Sequence, residues 1–362
     1  MLILYRPFQP VSREVIPMTK QIHVGNVAIG GGAPVSIQSM LNTKTTDVEG
    51  SLAQLRALAA AGCEIARVTV PNREAAEAFA QLVKESPLPL VADIHFDYRL
   101  AIAAAEGGAA KIRINPGNIG GEDRVKAVVD ACGSRGIPIR IGVNGGSLDK
   151  ELLEKYGHPT AEALVESAFS HLELLEKQGF YDACVSMKSS TVPTMVQAAR
   201  LFRARCDYPL HIGVTETGPV RMGLIKSAMG IGALLLDGIG DTLRVSLTAD
   251  PVEEVYAAKE ILKAAGLRKS GVNIVSCPTC GRTSIDLIGL VEQVDKALQD
   301  CQKPITVAVM GCVVNGPGEA READVGIAGG DGCGLIFLKG QPKEKVPYED
   351  LLPTLLSYIE KL

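Results

Sequence analysis

Apolar and polar positions follow a repeating order along residues 33–266. Each repeat begins with a short apolar run, typical of a buried strand, and continues with apolar residues three or four positions apart, typical of an amphipathic helix. The eight predicted strands cover residues 34–40, 65–70, 89–94, 111–115, 138–143, 183–187, 210–214 and 242–247. Eight strand–helix units predict an α/β fold, a closed (β/α)₈ TIM barrel. A doubly wound open sheet is the alternative, and the sequence lacks the dinucleotide fingerprint that would favour it.

Capping residues mark the starts of the predicted helices. Thr46-Asp47-Val48-Glu49 has the pattern of a capping box, in which Thr46 is the N-cap. Asp250-Pro251 combines an N-cap with a first-turn proline. Further helix starts are predicted after Asn72, Asp97, Thr160 and Pro219.

The pattern changes on either side of this repeat. Residues 22–32 predict a small hairpin that ends in a glycine turn and acts as a plug or lid. Residues 265–271 contain Gly, Lys and Ser and predict a linker. Beyond it the sequence predicts strands at 272–276, 305–310, 323–328 and 334–338, with helices over 286–298 and from Tyr348. We therefore expect an N-terminal segment (1–32), a substrate-binding barrel (33–266) and a small α+β domain (272–362).

Composition excludes several classes of function. A net charge of −4, a pI near 5.8 and the absence of Trp leave little to bind nucleic acid. No run of about eighteen apolar residues is present, and the N-terminus lacks a basic leader, so we expect a cytoplasmic protein without membrane association. The nine cysteines do not suggest a secreted disulfide framework, and four of them lie singly in apolar or helical stretches, as core residues do: Cys63, Cys132, Cys184 and Cys206.

Three other cysteines form two turns in the last domain. Cys277-Pro278-Thr279-Cys280 and the later turn at Cys312 suggest a metal site rather than a redox dithiol. Zinc would have to recruit Cys301 or Cys333, because this domain has no histidine. An iron–sulfur site tolerates an oxygen ligand, and Glu319 follows Cys312 across a Gly-Pro-Gly turn. Iron–sulfur and zinc both stay open at this point.

Alternate positions near the ends of the predicted barrel strands carry polar residues. Residues two apart on a strand share a face, and the C-terminal ends of barrel strands form the catalytic face. The candidate positions are Gln38, Met40, Arg67, Asp93, His95, Lys111, Arg113, Arg140, Asn144, Ser186, Lys188, Thr215, Glu216, Asp241, Arg244 and Ser246. Six are cations and three are carboxylates, which predicts a site for a multiply charged anion such as a diphosphate.

Two of the carboxylates have more than one interpretation. Asp93 and His95 are either a structural pair or a pair that binds a hydroxyl and handles a proton. Glu216, between Thr215 and Thr217, is either the proton donor of the site or a structural acceptor.

Eight motifs spread over nearly the whole chain carry a family resemblance. They are residues 35–40 (VSIQSM), 92–96 (ADIHF), 112–118 (IRINPGN), 140–144 (RIGVN), 213–216 (GVTE), 240–247 (GDTLRVSL), 277–282 (CPTCGR) and 311–319 (GCVVNGPGE). In these the chain resembles the 4-hydroxy-3-methylbut-2-enyl diphosphate synthases of the non-mevalonate isoprenoid pathway, in their bacterial two-domain form.

The resemblance implies an enzyme with a TIM barrel and a reductase-like iron–sulfur domain. It implies a [4Fe–4S] cluster held by Cys277, Cys280, Cys312 and Glu319, with flavodoxin or ferredoxin as electron donor. The implied reaction is the reductive ring opening and dehydration of 2-C-methyl-D-erythritol 2,4-cyclodiphosphate by two single-electron transfers.

The resemblance also implies a substrate site in the barrel and a head-to-tail homodimer. Catalysis is then expected from Glu216, His95 and Asp93. Substrate binding is expected from Gln38, Met40, Arg67, Arg113, Arg140, Asn144, Lys188, Thr215, Arg244 and Ser246.

Some features do not fit the resemblance. Residues 1–17 match no family motif, so Met18 is a second candidate start, and Cys333 is an unexplained competitor for the cluster. The alternative function is a non-redox barrel enzyme that acts on a phosphorylated sugar and carries a structural zinc module.

Overall fold

The structure is a computed structural model that describes residues 17–269, 271–299, 301, 303–312 and 321–362. The chain divides into two compact units, and the boundary in the sequence lies between Leu267 and Arg268. Among the described residues, no helix is both long enough and apolar enough to cross a membrane.

The first unit contains an eight-stranded parallel barrel. Its strands are β3 (Ser36–Met40), β4 (Ile65–Thr69), β5 (Leu90–Asp93), β6 (Lys111–Ile114), β7 (Ile139–Asn144), β8 (Ala183–Lys188), β9 (His211–Ile212) and β10 (Thr242–Leu243). The order in the sheet is β8-β7-β6-β5-β4-β3-β10-β9. A parallel bridge from Val185 to Leu210 joins its two ends, so the sheet is nearly closed. The predicted TIM barrel is confirmed.

Helices surround the strands. They are α1 (Val48–Ala61), α2 (Arg73–Glu85), α3 (Tyr98–Glu106), α4 (Pro116–Ile119), α5 (Glu122–Gly133), α6 (Lys150–Tyr156), α7 (Ala161–Glu176), α8 (Val192–Arg203), α9 (Val220–Leu236) and α10 (Pro251–Ala264). The short helices α4 and α6 were not predicted, because one or two turns are too short to show a helical period.

Most predicted helix starts are confirmed by side-chain caps. Asn72, Asp97, Thr160 and Asp250 each accept a hydrogen bond from a first-turn N–H group. The capping box at Thr46 is wrong, because Asp47 is the N-cap and accepts from the N–H of Gly50. A carboxylate one residue later supplies the same kind of acceptor, so the helix begins one residue further on.

The first unit has two separate apolar clusters, one between the strands and the helices and one at the N-terminal end of the barrel. Outward strand residues such as Ile37, Val68 and Ile112 pack against the helices. The hairpin of β1 (Ile22–Val24) and β2 (Val27–Ile29) packs its apolar side chains on Ile65, Val91 and Cys184. These three residues point into the barrel from strand starts, so the hairpin plugs the N-terminal end.

The isolated cysteines are largely buried, as predicted. Cys63, Cys132 and Cys184 are buried, and burial raises the pKa of each thiol. Cys206 is half-buried and packs at the edge of the core.

The second unit is an α+β sandwich with one five-stranded sheet in the described residues. Its elements are β11 (Asn273–Ser276), α11 (Leu287–Leu298), β12 (Thr306–Met310), β13 (Val325–Gly330), β14 (Cys333–Leu338), β15 (Gln341–Pro347) and α12 (Leu351–Glu360). The strands follow one another in sheet order. Strands β11, β12 and β13 are parallel, and β14 runs antiparallel to both of its neighbours, β13 and β15.

Strand β15 was not predicted. Its sequence is polar and contains Pro342 and Pro347, which weaken any strand pattern. It forms the exposed edge of the sheet, where prolines and lysines are tolerated because one side of the strand needs no partner.

Candidate functional site

Polar side chains fill the upper part of the barrel interior. Along β6, Ile112 and Ile114 pack outward, so Lys111 and Arg113 point inward. The same alternation turns Arg67, Asp93, Arg140 and Lys188 inward on neighbouring strands, and all but Arg67 are buried outright. The barrel mouth, by which we mean the C-terminal ends of β3 to β10, therefore brings together residues that are far apart in sequence.

Asp93 is bonded to cations on two sides. Arg113 Nη1 donates to its Oδ1 at 3.1 Å, and Arg67 Nε lies 3.6 Å from its Oδ2. Burial alone would raise the pKa of Asp93, but the two guanidiniums outweigh it and hold the pKa below its usual value. Asp93 is therefore ionised at neutral pH and orients both arginines.

His95 lies at the rim of the same group. Its Nε2 is 4.0 Å from Asp93 Oδ2, and about half of its side chain is exposed. This separation is longer than a hydrogen bond, so the imidazole remains accessible from the mouth.

Arg244 is held by a carboxylate that the sequence analysis did not select. Its Nε and Nη2 donate to Glu254 Oε2 and Oε1, both at 3.0 Å, and Glu254 is 3% exposed. Arg244 Nη1 lies 3.4 Å from Met40 Sδ, and Arg67 also points two nitrogens at that sulfur. The signal that could have identified Glu254 is a carboxylate in the first turn of the helix that follows β10.

Arg140 and Lys188 are buried cations that form no ion pair with a carboxylate of the described residues. Arg140 Nη1 donates to Ser186 at 3.0 Å, but its buried Nε and Nη2 have no partner in the described chain. Burial and the nearby Arg113 lower the pKa of Arg140 to about 10. Lys188 forms no ion pair with any described carboxylate. Burial, followed by the charges of Arg67 and Arg244, lowers its pKa well below the usual value.

The balance of charge at the mouth is positive. Among the described side chains, two buried carboxylates, Asp93 and Glu254, face five cations: Arg67, Arg113, Arg140, Lys188 and Arg244. Buried cations without anions are expensive, so this arrangement suits an anion with several charges.

Two residues expected at the mouth lie elsewhere. Lys111 begins β6, is fully buried, and sits deep in the barrel beside Arg140; burial lowers its pKa to about 8. Asp241 precedes β10 and accepts hydrogen bonds from Thr19 and from the N–H of Leu210, at the N-terminal end. Alternation predicts which way a side chain faces, but the point at which a strand begins sets its height in the barrel.

The remaining candidates line or border the mouth. Gln38 is buried, and its side-chain amide contacts no partner in the described residues. Asn144 ends β7 and is half-buried, as are Met40, Thr215 and Ser246. Glu216 lies beyond the end of β9, is exposed, and has a left-handed backbone with φ of 52°. A left-handed non-glycine residue is uncommon and marks a chain held by its surroundings.

The cysteine turns lie on adjacent loops of the second unit. Cys277 follows β11 and Cys312 follows β12, and these parallel strands are direct neighbours, so both loops leave the same edge of the sheet. The N–H of Gly311 donates to Cys277 Sγ at 3.3 Å. Cys280 is exposed, and hydrogen bonds from Arg282 lower the pKa of its thiol.

The sulfur atoms of these cysteines have the chemistry of metal ligands. Thiolate ligands commonly accept backbone N–H groups, as Cys277 does. Within the described residues, no three His, Cys, Asp or Glu side chains lie close enough together to hold a metal ion. Glu319 lies outside the described residues.

Cys333 lies at the same edge of the sheet but further along it. It begins β14 and pairs with Gly330, so β13 separates it from the strand that leads to Cys312. Neighbouring strands are about 4.8 Å apart, which places Cys333 about 10 Å from the Cys312 loop.

Comparison with known proteins assigns the chain to a family. The model described as the GcpE TIM-barrel domain matches residues 19–259, and the GcpE protein C-terminal domain matches residues 273–361. A curated protein of Geobacter sulfurreducens, named 4-hydroxy-3-methylbut-2-en-1-yl diphosphate synthase (flavodoxin), is 59% identical over 95% of this chain and 98% of its own. A protein of the same name from Clostridium perfringens is 58% identical over 95% and 99%.

One similar solved structure is more distant in sequence. A dihydropteroate synthase of Yersinia pestis is 13% identical and covers 68% of this chain and 98% of its own, with a TM-score of 0.48. That likeness is too remote to bear on function.

Proposed function

This chain belongs to the GcpE family, and we propose on that premise that it catalyses the conversion its curated relatives are named for. The enzyme takes up 2-C-methyl-D-erythritol 2,4-cyclodiphosphate, two electrons and two protons, and releases 4-hydroxy-3-methylbut-2-enyl diphosphate and water. One C–O bond to the diphosphate breaks, which opens the ring, and one hydroxyl leaves as water. The observation that carries this proposal is the excess of buried cations at the barrel mouth.

The cyclic diphosphate binds at the mouth through charge. Arg113, Arg140, Lys188 and Arg244 clamp the two phosphates, and Arg67, Asn144 and Ser246 assist, while Gln38, Met40 and Thr215 border the carbon skeleton. Two buried nitrogens of Arg140 have no partner among the described residues, and the buried Lys188 makes no ion pair with a described carboxylate. Both observations support this role, because a phosphate supplies acceptors for these cations. The clamp also retains the leaving diphosphate oxygen after the ring opens.

Protons reach the departing hydroxyl from the rim. Asp93 fixes the cations and binds a substrate hydroxyl, and His95 or Glu216 donates the proton. Both proton donors are exposed at strand ends, where a side chain can exchange protons with water. The left-handed backbone of Glu216, which is uncommon for a residue other than glycine, supports a functional rather than a structural role.

A [4Fe–4S] cluster is held by Cys277, Cys280, Cys312 and Glu319. When bound, such a cluster supplies electrons one at a time, as a two-electron reduction with a one-electron donor requires. The adjacent loops of Cys277 and Cys312 and the N–H···S bond from Gly311 support the assignment. Flavodoxin is the donor in the names of the relatives, and we extend it to this chain, with ferredoxin as the alternative. We place the enzyme in the cytoplasm.

One experiment separates this function from a non-redox barrel with a zinc module. The full chain, purified without oxygen, should contain about four iron and four sulfide, show a broad visible absorption, and convert the cyclic diphosphate when reduced flavodoxin is supplied. A colourless protein with zinc and no turnover after cluster reconstitution would contradict the proposal.

We also propose that the protein is a head-to-tail homodimer in which one chain's cluster domain covers the partner's barrel. Helix α9 supports a partner on the barrel unit, because it is apolar on its outer face as well as its inner one. The exposed apolar side chains of α9 are Val220, Met222, Leu224, Ile225, Met229 and Leu236. A helix that is apolar all round normally has protein on both sides.

The dimer predicts a specific response to a charge on α9. Met229 is 62% exposed on this face. We expect the variant Met229→Glu to be a monomer, because burying a carboxylate in an apolar interface is costly. Sedimentation velocity measures the outcome. Tyr181, an exposed aromatic away from α9, provides the control Tyr181→Glu, which should remain dimeric. A wild-type monomer, or an unaffected Met229→Glu dimer, would show that α9 is not the interface.

A further inference from the structure

One buried carboxylate on α10 binds the end of β10. Glu254 accepts hydrogen bonds from Arg244 Nε and Nη2, both at 3.0 Å, from the N–H of Leu247 at 3.1 Å and from Ser39 Oγ at 3.2 Å. These four donors occupy both carboxylate oxygens. The third guanidinium nitrogen of Arg244, Nη1, does not bind Glu254.

Local sequence places Glu254 there. Asp250 caps α10 and Pro251 begins it, so Glu254 lies in the first turn, where the helix dipole favours a negative charge. Val255 and Ala258 of the same helix pack into the core, which turns this side of α10 toward the barrel. The short connection from Arg244 to Asp250 then folds the carboxylate back onto the strand that precedes it.

Arg244 is restrained in its backbone as well. A Cβ on Gly213 would lie 2.4 Å from Arg244 O, so the backbones just after β9 and β10 are closer there than any other residue at 213 would allow. The side chain of Arg244 is 16% exposed, and its Nη1 lies toward Met40, whose sulfur also contacts Arg67. The free edge of the guanidinium therefore faces the group of cations at the mouth.

We propose that Glu254 is a positioning residue that fixes Arg244 with its Nη1 edge toward the diphosphate. The inference rests on the proposed function, because it takes Arg244 to be a diphosphate ligand. Without the carboxylate, the guanidinium would be repelled by the other mouth cations and would sample other rotamers. A guanidinium held in advance binds the substrate without the entropy cost of ordering a long side chain.

The test uses the full enzyme and the cyclic diphosphate. Glu254→Gln keeps the shape of the side chain and removes its charge; we expect the Kd, measured by calorimetry, and the KM to rise about tenfold to a hundredfold, with a smaller change in kcat. Glu254→Asp keeps the negative charge on a side chain one methylene shorter, and should recover part of the lost substrate affinity. The neighbouring Glu253 is exposed on the same helix turn, so Glu253→Gln is the matched control and should bind normally.

A double variant shows whether Glu254 acts through Arg244. In an Arg244→Met background, Glu254→Gln should cause no further loss of binding, whereas additive losses would overturn the inference. If Arg244→Met weakens binding and Glu254→Gln does not, the inference is wrong and the proposed function stands. If Arg244→Met binds and turns over normally, the assignment of the substrate site is wrong. Should Glu254→Gln fail to fold, a normal Kd for Glu254→Asp would contradict the proposal.

Discussion

Replacing Cys312 by alanine is expected to remove the cluster and bring turnover of the cyclic diphosphate to the background of the assay. Cys277 and Cys280 alone provide two thiolates, and the remaining proposed ligand, Glu319, is a weaker one for iron. Iron content after anaerobic reconstitution should fall from about four atoms per chain to about zero, with loss of the visible absorption. Substrate binding measured by calorimetry should persist, because the proposed diphosphate ligands all belong to the barrel unit.

Two variants serve as comparisons for Cys312. Cys333→Ala should retain iron and activity, since β13 separates Cys333 from the cysteine loops. Glu319→Ala should retain a cluster on three thiolates but alter its spectrum and lower its activity. An unchanged Glu319→Ala enzyme together with iron loss in Cys333→Ala would assign the fourth ligand to Cys333 and correct our proposal.

Replacing Arg113 by methionine is expected to lower kcat/KM by about two to three orders of magnitude. Removing one partner of a buried, hydrogen-bonded charge pair costs about 2–5 kcal/mol, and here the lost partner also serves the substrate. Asp93 would keep Arg67 as its neighbour at 3.6 Å, but Arg113 makes the shorter of the two contacts, at 3.1 Å. Steady-state kinetics and calorimetry with the cyclic diphosphate measure the effect.

A variant that removes a surface arginine is the control for Arg113→Met. Arg135 lies 3.8 Å from Glu106 at the surface, outside the barrel interior, so Arg135→Met should leave kinetics and binding unchanged. Normal binding and turnover by Arg113→Met would exclude it from the diphosphate site, while a loss of cluster in that variant would indicate a structural role instead.

Much of the barrel unit was predictable because its signals are local. Strand and helix periods, together with caps such as Asp250 and Asn72, are set by neighbours a few residues apart. All eight strands overlap their predicted ranges, although β9 and β10 are shorter than predicted. Edge strand β15 shows the limit: an exposed strand needs no apolar alternation, so its polar sequence carries no pattern to detect.

The candidate site was predictable only as a set of inward-facing residues. Alternation identified Arg67, Asp93, Arg113, Arg140 and Lys188 as side chains that share the barrel interior, and the structure brings them together. It could not place Lys111 or Asp241, because height along the barrel depends on sheet register.

The sequence by itself determined the strand–helix order, the family motifs and the kind of chemistry that the cysteines and the mouth can support, since these follow from residue type and short spacing. Tertiary structure alone decided that Glu254 binds Arg244, that Asp93 binds two guanidiniums, and that Glu216 adopts a left-handed backbone. Such contacts join different elements, and the packing of α10 and the closure of the sheet set their geometry. The charge balance of the site is therefore known only once the barrel is assembled.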